Sequence, residues 1–360
     1  MAEGTRAGAG GRMRTSGASG RNRPARPTIF DVARVSGVSY STVSRVVNGH
    51  PHIRDATRLR VQAAMADLGY VTHVSARTLA SGRSGVVGLL ALGLDSPFFL
   101  GVIQGVDQQV SIAEYDFMLC TTHDRREKEA EYVARLSNGM VDGLLIILPR
   151  GLPDYVEQLR AARFPFVLID YDDEAPGCDV VNAANRSGAL AAINHLLALG
   201  HRRIGFITGT LNVGSAHERL AGYREALVTA GLPLSRELVV QGDFLEARGF
   251  EATRELLALS DRPTAIFASS DAAAFGVLRA AREAGLRVPQ DLSVVGFDDV
   301  PEASYVAPSL TTVCQPLGDM GRAAVRRLTE LMSGADETAQ RIVLATHLVV
   351  RDSTGPAPVG

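Results

Sequence analysis

Tryptophan is absent from this 360-residue chain, lysine occurs only at position 128, and cysteine occurs three times. No stretch approaches the roughly 18 consecutive apolar residues that a membrane-spanning helix needs. The N-terminus also lacks the apolar core of a secretory signal, so no membrane partner is expected and the chain reads as cytoplasmic. Cys120, Cys178 and Cys314 are widely spaced and form no CxxC pair. That excludes a disulfide framework or a zinc ribbon and leaves three small apolar side chains. Catalytic signatures are missing as well: there is no GxSxG elbow, HExxH or P-loop. The GTLNVG segment (209–214) lacks both the GxGxxG spacing and the following acid of a dinucleotide site. No catalytic residue, cofactor or metal ligand is assigned, and the chain is not read as an enzyme. His50 and His52 flank a proline in a loop and read as solvated rather than as ligands.

What is present is an ordinary soluble composition, 46% hydrophobic and 21% charged, over a length sufficient for more than one core. The net charge of −2 conceals an asymmetry. Residues 1–85 hold thirteen arginines against four carboxylates, net +9, which leaves net −11 for residues 86–360. A basic head on an acidic body places nucleic-acid contact in the head. Residues 1–26 are rich in Gly, Ala, Ser and Arg, with too little apolar surface to order themselves. Their arginines serve either nonspecific phosphate contact or solubility.

The stretch TIFDVARVSGVSYSTVSRVVN (28–48) carries the strongest local signals. Thr28 and Asp31 have capping-box spacing, Gly37 permits a tight turn, and Ser39 is placed to cap a second helix. Val43, Val46 and Val47 fall at helical spacing and turn inward, leaving Tyr40, Ser41, Thr42, Ser44 and Arg45 on the outside. Hydroxyls, one tyrosine and one arginine on an exposed helix start suit phosphates and base edges. The unit therefore reads as a helix-turn-helix on double-stranded DNA. A third helix is expected to about Leu68, with Leu59, Val61, Met65 and Leu68 on its apolar side and Gly69 as its stop.

DVARVSGVS and TVSRVVNG closely resemble the DNA-binding signature of the lactose/galactose repressor family of bacterial transcription factors. The resemblance spans about 28–355. It implies DNA contact by Thr28, Ser39 and Asn48 beside the helix face above, and a hinge helix at 74–84. That segment is too short to be stable alone. In the family it folds on the operator and levers a leucine into the minor groove. Leu79 matches this leucine, and Ala76 and Arg77 match its neighbours. Thr72 and His73 depart from the usual Pro and Asn.

From Val86 apolar strands alternate with helix-length segments, the pattern of parallel α/β layers. Strands read at 86–92, 117–122, 143–149 and 166–170, and a second set reads at 203–209, 238–243, 265–271 and 292–299. A final pair, 310–313 and 347–352, flanks a helix from about Gly318 to Met332. Ligands of such sheets lie at strand carboxyl ends. There Phe98 and Phe99 offer a stacking wall, while Ser215, Arg219, Asp271 and Asp298 form a polar clamp suited to vicinal hydroxyls. The resemblance implies the periplasmic sugar-binding-protein fold with three crossings between its halves. It makes Arg219 and Asp298 principal effector contacts, with Phe99, Ser215, Phe267 and Asp271 secondary. Val213 replaces an arginine of the purine-binding branch, and Ala183 and Ala184 fall where Asp is common, so Asn182 or Asn185 substitutes.

The expected chain is thus an all-α helix-turn-helix head joined to an α/β two-lobed, periplasmic-binding-protein-like effector domain. Its divisions are a 1–26 tail, a 27–73 DNA-binding domain, a 74–84 hinge, an 85–355 effector-binding and dimerisation domain, and a 356–360 tail. The expected partners are a pseudo-palindromic operator, a small-molecule effector of carbohydrate type and a second copy in a homodimer. The competing reading is a sugar-binding or sugar-modifying α/β protein that its first 85 residues merely regulate.

Overall fold

Thr28 begins the first helix because two orphan N–H groups find partners there. Its own N–H donates to Asp31 Oδ2 at 2.9 Å, and Asp31 N–H returns a bond to Thr28 Oγ1 at 3.4 Å. Helix α1 (Ile29–Ser36) then ends at Gly37, whose φ of 64° is a left-handed conformation open to glycine at no steric cost. Ser39 Oγ accepts Thr42 N–H at 3.2 Å and starts α2 (Tyr40–Val47); α3 (Asp55–Leu68) follows. Val32, Val43, Val46, Val61, Ala64 and Tyr70 form the core of the three helices. Leu59 does not join it and is 66% exposed, a correction to the helical-face expectation. Removing Thr28 Oγ1 by Thr28→Ala is expected to cost the DNA-free head about 0.5–2 kcal/mol. Urea unfolding followed by head amide signals measures this, and an unchanged midpoint would show that the cap contributes nothing.

The computed structural model describes residues 27–47, 50–70, 83–171, 177–335 and 338–358. The chain separates into two units, Met1–Arg77 and Thr78–Gly360. Of the expected DNA contacts, Asn48, Ala76, Arg77 and Leu79 lie outside the described residues.

The second unit contains two six-stranded sheets. The first holds β1 (Val86–Ala91), β2 (Asp116–Thr121), β3 (Gly143–Ile147), β4 (Phe166–Ile169), β5 (Asp179–Ala183) and β11 (Arg341–Leu344). Their order is β2-β1-β3-β4-β5-β11, with every pair parallel. The second holds β6 (Ile204–Ile207), β7 (Val239–Val240), β8 (Ala265–Ala268), β9 (Ser293–Asp298), β10 (Thr311–Cys314) and β12 (His347–Val349). Its order is β7-β6-β8-β9-β10-β12, and only β12 runs antiparallel, against β10. Helices cover both faces of both sheets, which is why β1, β3 and β9 read as continuous buried runs rather than alternating ones.

Around the first sheet lie α4 (Pro97–Ile112), α5 (Arg126–Ser137) and α6 (Leu152–Ala161). Around the second lie α7 (Asn185–Ala198), α8 (Gly214–Thr229), α9 (Glu246–Leu257) and α10 (Asp271–Glu283). The chain crosses between lobes at 183–185, 314–317 and 344–347, three times as expected. Two differences follow from that path. Strands β5 and β11 are absent from the sequence-based expectation. The helix between the terminal strand pair, α11 (Leu317–Ser333), packs in the other lobe against α4. Glycine makes this approach possible: a Cβ on Gly105 would sit 2.0 Å from Gly318 O, and one on Gly321 2.3 Å from Val102 O. Among the described residues no helix is long and apolar enough to cross a membrane.

Candidate functional site

In the head, α2 buries Val43 and Val46 and leaves Tyr40, Ser41 and Arg45 exposed, with Thr42 and Ser44 half-buried. Its first turn carries no acid. Ser39 Oγ lies 2.8 Å from both Ser41 Oγ and Thr42 Oγ1, a hydroxyl cluster at the positive end of the helix. Phe30 from α1 stacks on Tyr40 with ring centroids 5.2 Å apart, which fixes the tyrosine at the edge of this face. Backbone dipoles, hydroxyls and the Arg45 cation together make a surface for a polyanion.

In the second unit a cavity of about 580 Å³ opens between the two sheets. Residues just past the carboxyl ends of the strands line it: Leu92 after β1, Leu148 after β3, Asp170 after β4, Phe244 after β7 and Asp298 at the end of β9. Phe98 and Phe99 meet edge to face, centroids 5.5 Å apart, at the start of α4 and form an apolar wall.

The floor is polar and almost fully buried. Arg219, 2% exposed, donates through Nε to Asn185 Oδ1 at 2.9 Å and through Nη1 to the Ser269 carbonyl. Its guanidinium lies 3.8 Å from the centre of the Phe297 ring, and Nη1 is 4.0 Å from Asp298 Oδ1. Asp298 has a φ of 124° and Asp299 one of 59°, so the chain turns through strained backbone where β9 presents its carboxylate to the cavity. Gln315 Nε2 donates to Asp298 Oδ1 at 2.7 Å. Across the cleft, Asp170 Oδ2 accepts from Ser215 Oγ at 3.2 Å. Asp170 Oδ1 has no hydrogen-bond partner within normal distance, and the Asn185 amide, Arg219 and Asp298 all act on the carboxyl group.

Burial pushes Asp298 up to about 6, against the opposing pull of Arg219 and Gln315. It raises Asp170 too, countered by Arg219 and Ser215, and it raises Asp271 well above the usual range, reinforced by the neighbouring Asp298.

Phe98, Phe99, Ser215, Arg219 and Asp298 thus converge on one cavity. Two residues expected there do not. Phe267 is fully buried in the second lobe, stacked on Phe206 at 5.0 Å and against Phe297 at 6.4 Å. Asp271 is fully buried as well, accepting Val300 N–H at 2.9 Å and Thr312 Oγ1 at 2.5 Å. It holds the β9 and β10 ends in place, so it supports Asp298 without reaching the cavity. Neither substitute from the β5–α7 crossing contacts the cavity: Asn182 bonds the Tyr171 backbone, and Asn185 supports Arg219.

Several lining residues are missing from the sequence-based expectation, among them Asp170, Phe244 and Arg150. Each lies at or just past the end of a strand that the sequence does reveal, so the strand-end rule is sufficient to find these three. Arg150 bridges the lobes at the mouth, donating to Asn212 Oδ1 at 2.8 Å, with Asp124 Oδ1 at 3.4 Å from its Nε.

Residues 28–73 match the model of the bacterial regulatory proteins, lacI family, and residues 193–354 match a periplasmic binding protein-like domain. The chain is 34% identical over 327 residues to the HTH-type transcriptional repressor PurR of Photobacterium profundum, covering 91% of this chain and 98% of that one. Among solved structures it resembles a lac repressor dimer bound to operator and the anti-inducer ONPF, at 32% identity and a TM-score of 0.80. That match covers 91% of this chain and 99% of the repressor. A complex of the transcriptional regulator CelR with cellobiose matches at 36% identity and a TM-score of 0.69, over 91% of this chain and 100% of that one.

Proposed function

The chain belongs to the lacI family of bacterial regulatory proteins, and from that premise we propose that a carbohydrate held between its lobes sets its affinity for a pseudo-palindromic operator. It is a DNA-binding transcriptional regulator with an effector-binding domain. The observation that carries the carbohydrate reading is the cavity floor. A buried guanidinium and two buried carboxylates beside phenylalanine walls supply acceptors, donors and stacking faces for a ring bearing hydroxyls.

In this reading residues 27–73 hold the operator, 74–84 are the hinge with Leu79 as the wedge, and 85–355 bind effector and pair two copies as a homodimer in the cytoplasm. Effector binding shifts one lobe against the other and so biases the order of the hinges on DNA. The first residues after the hinge are firmly tied: Ser84 and Gly85 N–H groups donate to the Asp142 carboxylate at 2.6 and 2.8 Å. A displacement of the first lobe therefore carries Ser84 and Gly85 with it. The effector leaves chemically unchanged.

Selection of bound duplexes from a randomised pool tests the DNA half. A pseudo-palindrome should emerge, and a carbohydrate should alter the affinity for it. Arg45→Ala should lose about 1–3 kcal/mol against one base pair of each half-site if the guanidinium grips guanine. Equal weakening on every sequence would make Arg45 a phosphate contact, and a pool showing no preference would overturn the operator reading.

A further inference from the structure

The cavity has a second polar zone besides its floor. At the mouth, Asp95, His123, Asp124 and Asp243 are exposed groups that line the cavity together with Arg150, whereas Asp170, Arg219 and Asp298 of the floor are buried, and Phe98, Phe99, Phe244, Leu92 and Leu148 add apolar surface to the same lining. Arg150 is the one rim cation among the described residues, and its side chain is only 16% exposed, held between Asp124 of the first lobe and Asn212 of the second.

Resting on the carbohydrate reading of the cleft, we infer that the rim is a second saccharide subsite, so that the effector is an uncharged sugar of at least two rings whose outer ring replaces Asn212 on Arg150. Size is the first argument. About 580 Å³ lies inside the roughly 300–1,000 Å³ of pockets that enclose drug-sized ligands, more than one six-membered ring fills. A single ring seated on Arg219 and Asp298 leaves the rim groups to solvent. A ligand that fills such a pocket buries most of its surface.

Charge is the second argument. Asp95, Asp124, Asp170, Asp243 and Asp298 face the cavity against two guanidinium groups, and both of those are committed. Arg219 is spent on Asn185, Ser269, Phe297 and Asp298, and Arg150 on Asp124 and Asn212. The start of α8 is the natural place for a phosphate, and there the Asp170 carboxylate already answers the helix dipole through Ser215. A sugar phosphate would meet carboxylates at either end. Hydroxyls, which donate as well as accept, suit both zones.

The Arg150–Asn212 bond joins the lobes, so a ring that takes over Arg150 bridges the same gap and keeps them together. This makes the rim a specificity element as well as a latch.

Calorimetry on the full-length protein tests the inference with glucose, galactose and xylose, their α- and β-linked disaccharides, glucose 6-phosphate and glucosamine. At least one disaccharide should bind about tenfold or more tightly than its constituent monosaccharides, and the phosphate should bind no better than glucose. Arg150→Ala should weaken that disaccharide about tenfold while leaving its monosaccharide within about twofold. Equal affinities for one and two rings, a preference for the phosphate or the amine, or equal losses in Arg150→Ala would overturn the rim subsite while leaving the carbohydrate reading standing. If no sugar binds at all, the carbohydrate reading fails first and takes the subsite with it.

Discussion

Arg327→Ala is expected to destabilise the effector-binding unit by about 3–5 kcal/mol. Arg327 is 2% exposed and sits on α11, the helix that returns from the second lobe to the first. Its Nε donates to Asp179 Oδ1 at 2.6 Å and its Nη2 to the Thr338 carbonyl at 2.7 Å; Gln340 N–H adds a bond to the same carboxylate oxygen at 3.0 Å. One guanidinium thus ties α11 to the start of β5 and to the approach to β11, the last two strands at that side of the sheet. Alanine leaves the 6%-exposed Asp179 carboxylate without its cation, and the uncompensated charge costs more than the pair contributes. Asp179→Asn in the same background should recover part of the loss by removing that charge. Urea unfolding followed by tyrosine fluorescence measures both, and a loss below about 1 kcal/mol for Arg327→Ala would show that water or a rearranged neighbour satisfies Asp179.

The same pair explains why β5 is hard to read from the sequence. DVVNA begins with an aspartate and carries an asparagine, residues that ordinarily mark a turn, yet both are buried, Asp179 on Arg327 and Asn182 on the Tyr171 backbone. A partner 148 residues away cannot be seen in a local pattern. Strand β11 is a half-exposed edge of four residues, again without a local signature. The head is legible because its determinants are local: Thr28 finds Asp31 three residues on, and Gly37 and Ser39 act within one turn. Leu59 misleads because it lies two residues before Val61, which on a helix is nearly the opposite face.

At the cleft, strand-end position predicts which backbone comes near the cavity but not where each side chain turns. Arg219, Asp298 and the phenylalanine pair turn inward. Asp271, at the N-terminus of α10, is drawn back instead by Val300 N–H and Thr312 Oγ1, and Phe267 by its stack with Phe206. Those competing partners come from distant segments, so tertiary structure decides the direction.

Arg219→Ala should lower effector affinity at least about a hundredfold, because it removes a charged donor from a site where the ligand's oxygen would be left unpaired. It should also destabilise the unliganded protein, contrary to the simpler expectation of a side chain that serves only the ligand. The guanidinium satisfies Asn185 and the Ser269 carbonyl and packs on Phe297, so its loss orphans several buried groups. Arg219→Lys separates the two roles. It keeps the charge near Asp298 but cannot fork to two partners, so stability should recover more than affinity does.

Asp298 supplies an independent test through pH. Burial holds its carboxyl at about 6, so an effector hydroxyl that donates to the carboxylate should bind with full affinity above pH 7 and lose up to about tenfold per pH unit below 6. Stability responds to the same group with the opposite sign. Between its usual value of 3.8 and about 6 the folded state holds the proton more tightly than the unfolded chain does. Across that window this group's contribution to unliganded stability therefore falls as pH rises. Asp298→Asn should flatten the acid loss of affinity and remove this component from the parent-minus-variant difference in unfolding free energy. Calorimetric titration and urea unfolding from pH 4 to pH 8, on parent and variant, read the two slopes separately. An affinity that stays level below pH 6, or one that falls equally in Asp298→Asn, would take Asp298 out of contact with the effector and leave the hold on it to Arg219 and the other groups of the cleft.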